Sequence, residues 1–139
     1  MIRKLIFSAL LITSCTTHVF YKMIIIPYTY EDQSSSKTFR LTYKNTTQHQ
    51  ICVSTENWPN AAGKINGASS NVWVEIEGSH TPYKIADFNT GYCPGCVSKV
   101  NPGETITGTI PYSEFSIPQS LSGNNKILRF RPQGYICKI

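Results

Sequence analysis

The 139-residue sequence has little charge, no long apolar run and almost no helical periodicity. Only 15% of its residues are Asp, Glu, Lys or Arg, and no apolar run reaches the roughly 18–20 residues that a membrane-spanning helix needs. Disorder is excluded as well, because 40% of the residues are hydrophobic and the chain contains 8 Tyr and 6 Phe. The length fits one ordinary domain. We therefore expect one compact domain without a transmembrane helix.

Motifs that would indicate chemistry are also missing. The 3 histidines, His18, His49 and His80, form no closely spaced pair of the kind that binds a metal ion. No Gly-x-Ser-x-Gly nucleophile motif is present. Arg129 and Arg131 alternate with apolar residues and do not form the dense basic patch that nucleic acid requires. We expect no enzymatic activity, no cofactor, no metal site and no nucleic-acid partner.

The first fifteen residues have the layout of an export signal. Arg3 and Lys4 precede an apolar stretch of about ten residues, as in a secretory signal peptide. The stretch ends in Ile12-Thr13-Ser14-Cys15, which resembles the lipobox of bacterial lipoproteins. The resemblance implies that residues 1–14 are removed and that Cys15 carries the lipid, palmitate included. An ordinary signal peptide, with Cys15 an early mature residue, is the alternative.

A lipobox also implies a location. Several acyl chains, at about 0.8 kcal/mol per buried methylene, anchor a protein stably in a membrane. The expected protein is therefore held at the cell envelope through its lipid. Thr16 follows the cysteine where an aspartate would be the retention signal, which by analogy implies an outer membrane facing the periplasm in a cell that has one. The mature chain would carry 11 basic and 8 acidic residues, a formal charge of +3.

Period-2 alternation broken by turn residues dominates the rest of the chain. Val72, Val74 and Ile76, for example, alternate with polar or aromatic residues. About seven to nine short strands predict an antiparallel β-sandwich, with a small up-and-down β-barrel as the alternative. The Pro-Gly turn of Asn101-Pro102-Gly103 before a late strand loosely resembles immunoglobulin-like envelope proteins. We expect residues 15–37 to form the lipidated N-terminus, an edge strand and a polar loop, and residues 38–139 to form the sandwich.

Four further cysteines, in an exported chain, predict two disulfides. Pro94 and Gly95 suit a type II turn that brings Cys93 and Cys96 within bonding distance, which leaves Cys52 to pair with Cys137. The rival pairing takes Cys52 to the 93–96 loop. A redox dithiol would need a helix after the first cysteine, and a zinc knuckle would need a second close pair. The sequence offers neither.

Two aromatic residues in loops are candidates for binding. Trp58 lies in a Pro/Asn/Gly-rich segment, and Tyr92 lies beside the expected Cys93–Cys96 turn. Aromatic residues on braced loops are common anchors for a partner, whereas the competing interpretation is packing at the end of the sandwich. A small anchored β-domain resembles, in general form, inhibitors of envelope hydrolases and immunity proteins. We therefore expect it to hold a protein partner at the membrane, with a structural or assembly lipoprotein as the alternative.

Overall fold

The fold is built almost entirely from short strands. The computed structural model describes residues 22–54, 57–65, 71–85 and 97–137. Its strands are β1 (Met23–Ile25), β2 (Thr29–Gln33), β3 (Thr38–Lys44), β4 (Ile51–Ser54), β5 (Val72–Ile76), β6 (Tyr83–Lys84), β7 (Val97–Val100), β8 (Thr105–Pro111), β9 (Lys126–Phe130) and β10 (Gln133–Ile136). Two short 3-10 helices, Tyr112–Phe115 and Gln119–Leu121, connect β8 to β9. These ranges contain no α-helix.

The strands form three antiparallel sheets. The first has the order β1-β10-β4-β7, the second β2-β3-β8 and the third β6-β5-β9. None of these sheets closes into a barrel within the described ranges. The predicted antiparallel β-sandwich is therefore confirmed.

Long strands pass from one sheet to another at bends. β1 continues into β2 at Pro27, and β9 continues into β10 at Pro132, since proline lacks the N–H that a continuous ladder needs. The two bends touch, because the Ile26 N–H donates to the Pro132 carbonyl at 2.9 Å. β1 and β2 thus belong to the sheets, and the sandwich begins before the predicted boundary at residue 38. The polar loop expected before residue 38 covers residues 34–37, since β2 extends to Gln33.

Inward-facing residues of all three sheets share one core. Along β3 the alternation is strict: Phe39 and Leu41 are fully buried, while Arg40 between them is exposed. β5 follows the same rule, with Val72, Val74 and Ile76 buried. The fully buried large side chains include Phe39, Phe115, Ile26, Leu41, Ile51, Ile65, Ile110, Val53, Val74 and Val100. Period-2 alternation therefore identified the core face of the long strands correctly.

One buried asparagine fixes the corner where β3 turns toward β4. The Asn45 Nδ2 donates to the carbonyls of His49 at 2.8 Å and Val100 at 2.9 Å. Its Oδ1 accepts from both the backbone N–H and the hydroxyl of Thr47, at 3.0 and 2.8 Å. Its own backbone carbonyl accepts from Gly103, at the tip of the β7–β8 turn. A single side chain therefore joins two connections that are far apart in sequence.

Candidate functional site

The first part of the candidate site is a row of outward-facing side chains on the paired strands β5 and β9. Trp73 stands opposite Arg129, and Glu75 stands opposite Ile127. The Arg129 Nη2 donates to Glu75 Oε2 at 3.0 Å, and the Trp73 Nε1 donates to Glu75 Oε1 at 3.3 Å. The hydrogen bond from Arg129, and then that from Trp73, lowers the pKa of Glu75. The carboxylate therefore holds both the indole and the guanidinium in place on the surface of the sheet.

Two tyrosines from the start of β2 form the neighbouring wall. The Tyr30 hydroxyl accepts the Leu128 N–H at 3.2 Å, and the Tyr28 hydroxyl is hydrogen-bonded to the backbone of Phe130. Burial is the main reason that the pKa of Tyr28 is raised. Leu128 and Phe130 lie two residues apart on β9, so their N–H groups point to the same side of the strand. The tyrosines therefore occupy the edge of β9 where another strand would pair.

Together these residues line an open cleft of about 470 Å³. We call it the aromatic cleft, and its members are Tyr28, Tyr30, Trp73, Ile127, Arg129 and Arg131. Tyr30 and Ile127 are 36% and 42% exposed. Trp, Tyr and Arg are the residue types enriched where a few side chains carry most of the energy of protein binding. The cleft thus has the composition of a protein-binding surface.

Hydrogen bonds and a ring contact link the side chains of the cleft to each other and to β9. Arg129 is held by Glu75, Tyr30 by Leu128, and the Tyr28 ring packs edge-on against Phe130 with centroids 5.4 Å apart. Side chains that are already ordered lose less entropy on binding. Arg131 is exposed, and no ion pair joins it to another residue in the described parts of the chain. The cleft therefore carries an exposed cation that has no ion-pair partner in the described parts of the chain.

A larger groove of about 560 Å³ runs beside β8, which we call the Trp58 groove. Its walls are mostly small or hydroxylated residues, and its lining comprises Arg40, Trp58, Pro59, Asn60, Ala61, Ser98, Ile106, Thr107, Gly108 and Thr109. Thr105, Thr107 and Thr109 are exposed on the outer face of β8. Among the described residues that line the groove, Trp58 is the only aromatic one, and it is buried. We therefore regard the smaller aromatic cleft as the better candidate for binding a protein.

Trp58 occupies a different environment from the one expected for a binding anchor. Its side chain is only 6% exposed, and its ring lies 6.2 Å from that of Phe130 in the core. A Cβ placed on Gly108 would come within 3.0 Å of the Trp58 Nε1, so the strand and the indole are in close contact. Trp58 is therefore a buried side chain that packs against the core, and its role in binding stays a prediction. Tyr92, its expected companion, lies outside the described residues.

The cysteines are partly described. Cys52 and Cys137 form a disulfide with Cα atoms 5.2 Å apart, which confirms the favoured pairing and excludes the bond from Cys52 to the 93–96 loop. Cys93 and Cys96 lie outside the described residues, as does Cys15, so the second disulfide and the lipid attachment remain predictions.

Among the described residues, no group of three His, Cys, Asp or Glu side chains could hold a metal ion. No helix in those ranges is long and apolar enough to cross a membrane.

Sequence reasoning missed most of the aromatic cleft. Two signals were visible: Trp73 alternates with the core valines of β5, and Arg129 and Arg131 alternate with apolar residues of β9. Nothing in the sequence indicated that β5 pairs with β9, about fifty residues later in the chain. This pairing places Trp73 opposite Arg129. Tyr28 and Tyr30 gave no periodic signal that linked them to β9.

Neither a family model, nor a curated protein, nor a solved structure matches this chain.

Proposed function

We propose that this chain is a lipid-anchored protein of the cell envelope whose β-sandwich binds a protein partner through the aromatic cleft. The lipobox-like segment ending at Cys15 supports the anchor. The single observation that supports the binding role is the grouping of Trp73, Arg129 and two tyrosines on one rigid surface. The partner's contact segment carries a carboxylate for Arg131 beside an apolar or aromatic side chain for the Trp73 face. By analogy of general form, the protein would act as an inhibitor or an immunity protein of the envelope.

The proposed binding role of the aromatic cleft is tested by comparing variants of the full-length protein. A partner is first recovered from envelope extract with the wild-type protein, and its affinity for each purified variant is then measured. Trp73→Ala should weaken binding at least tenfold, since hot-spot residues cost about 2 kcal/mol or more on truncation. Arg131→Ala should weaken it as well, and more at low salt than at high salt. Both variants should keep the wild-type melting temperature.

The matched control lies in the other groove. Thr107 is exposed in the Trp58 groove, so Thr107→Ala should leave the affinity unchanged. A loss of affinity for Thr107→Ala with none for Trp73→Ala would move the binding surface to that groove and contradict the proposal.

The anchoring half has its own test. Cys15→Ala should release the protein from the membrane fraction, and the wild-type protein should carry the mass of the acyl chains on its first residue. A variant that stays with the membrane, together with a wild type of unmodified mass, would contradict the anchor.

A further inference from the structure

The edge strand β1 carries the most exposed apolar side chains of the described chain. Ile25 is 67% exposed and Met23 is 53% exposed. Both point away from the core, because Ile24 between them packs against the core cluster. Tyr135 on β10 stands directly opposite Met23 and shares its face. We call Met23, Ile25 and Tyr135 the β1 patch. Exposed apolar side chains on an edge strand favour association, so they indicate a contact surface.

The four strands of the same sheet contain a single charged residue, Lys99, which is a cation. The register runs from Met23 through Tyr135 and Cys52 to Lys99, which is exposed and lies on the face of the β1 patch. Three strand spacings of about 4.8 Å place Lys99 roughly 14 Å from Met23. The four strands of this sheet contain no Asp or Glu. The face therefore combines apolar side chains with a cation, which is the combination that binds an anionic lipid surface.

The length of chain before β1 limits how far this face can be from the membrane. Eight residue steps separate Cys15 from Met23, and an extended chain covers at most about 3.6 Å per step, or roughly 29 Å. A domain of this size has a radius of gyration of about 14 Å, so the tether is no longer than the domain is wide. β1 therefore lies within about 29 Å of a lipid attached at Cys15.

We propose that the β1 edge of the β1-β10-β4-β7 sheet lies on the membrane surface, with the β1 patch inserted among the lipid headgroups. The inference rests on the proposed anchoring at Cys15. A tether of this length keeps the patch at a high effective concentration near the lipid, so a few side chains suffice to orient the domain. The aromatic cleft, which lies on a different sheet, is then presented at a fixed angle to the membrane.

The test uses the acylated full-length protein in vesicles of phosphatidylethanolamine and phosphatidylglycerol that contain a headgroup spin label. Isoleucine methyl groups report their distance from the label through relaxation enhancement. Ile25 should show at least threefold more enhancement than Ile127, which is exposed on β9. Met23→Asp should reduce the enhancement at Ile25 to that of Ile127, whereas Lys84→Asp, on another sheet, should leave it unchanged. Equal enhancement at both methyl groups in the wild type would overturn the proposal.

Two further experiments separate the membrane contact from a failure of the lipid anchor and from dimerisation. If Cys15 carries no lipid, the protein does not float with the vesicles, and that failure concerns the anchor alone. A chain with a His tag in place of Cys15, held on a nickel-chelating lipid, then tests the orientation independently and should give the same ratio between the two isoleucines. A dimer in sedimentation that Met23→Asp dissociates, together with no preference for Ile25, would assign the patch to a second copy and overturn the membrane contact.

Discussion

At the scale of single residues, the two tryptophans differ through the strand or loop that carries them. Trp73 points outward because its neighbours Val72 and Val74 occupy the core face of β5. Trp58 lies in a loop without periodicity, and its ring fills space between β8 and Phe130. Its Nε1 has no hydrogen-bond acceptor among the described residues. The contribution of Trp58 to stability therefore comes from packing.

Trp58→Ala should destabilise the fold by about 3–5 kcal/mol, because it removes a large buried side chain and leaves a cavity. Urea denaturation with a fluorescence or circular dichroism readout measures the change. Trp73→Ala is the matched control, and it should cost far less stability because its ring is partly exposed on the sheet surface. Wild-type stability of Trp58→Ala together with a loss of partner affinity would contradict the packing role and would place Trp58 in the binding surface.

Asn45 is the second residue whose replacement should have a large effect. Asn45→Ala leaves the Val100 carbonyl and the Thr47 N–H without their buried partners, and we expect a loss of about 2–4 kcal/mol. Asn45→Asp should be at least as damaging, since it places an oxygen against two carbonyls. Thr46→Ala, at the exposed neighbouring position, should be close to neutral. An effect of Thr46→Ala equal to that of Asn45→Ala would contradict the assigned network.

Tyr112 links stability to pH. It is 5% exposed, and its hydroxyl donates to Asp32. Burial, and then the hydrogen bond to Asp32, raises the pKa of Tyr112 to about 12. A pKa above the unfolded value of 10.0 favours the protonated folded state. This contribution to stability is complete below pH 10 and is lost as the pH rises toward 12.

Tyr112→Phe tests this pH dependence directly. The difference in unfolding free energy between wild type and variant should be constant from pH 7 to 9 and should shrink between about pH 10 and 12. Burial also raises the pKa values of Tyr28 and Tyr43, so the wild type alone cannot isolate the effect. A difference that stays constant up to pH 12 would contradict the raised pKa of Tyr112.

At the scale of secondary-structure elements, the alternation of apolar and polar residues predicted the strands, and turn residues predicted where the strands end. The alternation of Val72, Val74 and Ile76 predicts a strand, and β5 covers Val72–Ile76. The 3-10 helices after β8 were not predicted, because segments of three or four residues carry no period. The aromatic cleft was missed for a related reason. Strand pairing is a long-range property, and a single sequence contains no signal for which strand lies beside which.

The packing of the 57–65 segment on β8 depends on a glycine in that strand. A Cβ at Gly108 would lie 3.0 Å from both the Trp58 Nε1 and the Pro59 Cγ. Gly108→Ala should therefore cost about 1–3 kcal/mol through overpacking. Gly123→Ala is the matched control, because nothing lies within 4 Å of the added methyl group. Thermal unfolding of the two variants should separate them by several degrees, and equal melting temperatures would contradict this contact.

At the scale of the whole molecule, one covalent bond joins the middle of the chain to its C-terminal strand. Cys52 lies on β4 and Cys137 follows β10, so the disulfide links neighbouring strands of the sheet that carries the β1 patch. The two cysteines are 85 residues apart. A closed loop of that length lowers the entropy of the unfolded chain substantially, and chain-entropy arguments give about 4–5 kcal/mol.

Cys52→Ala/Cys137→Ala should therefore lose about 2–5 kcal/mol of stability. Equilibrium denaturation under non-reducing conditions measures the loss, and thiol titration in denaturant establishes which cysteines remain bonded. If Cys93 and Cys96 pair and Cys15 carries lipid, as the sequence predicts, this double variant exposes no reactive thiol. Cys93→Ala/Cys96→Ala should cost less, because its loop spans only four residues and the entropy of closure grows with loop length. A larger loss for the 93/96 variant would show that the turn, and not the long loop, is the main covalent constraint on this sandwich.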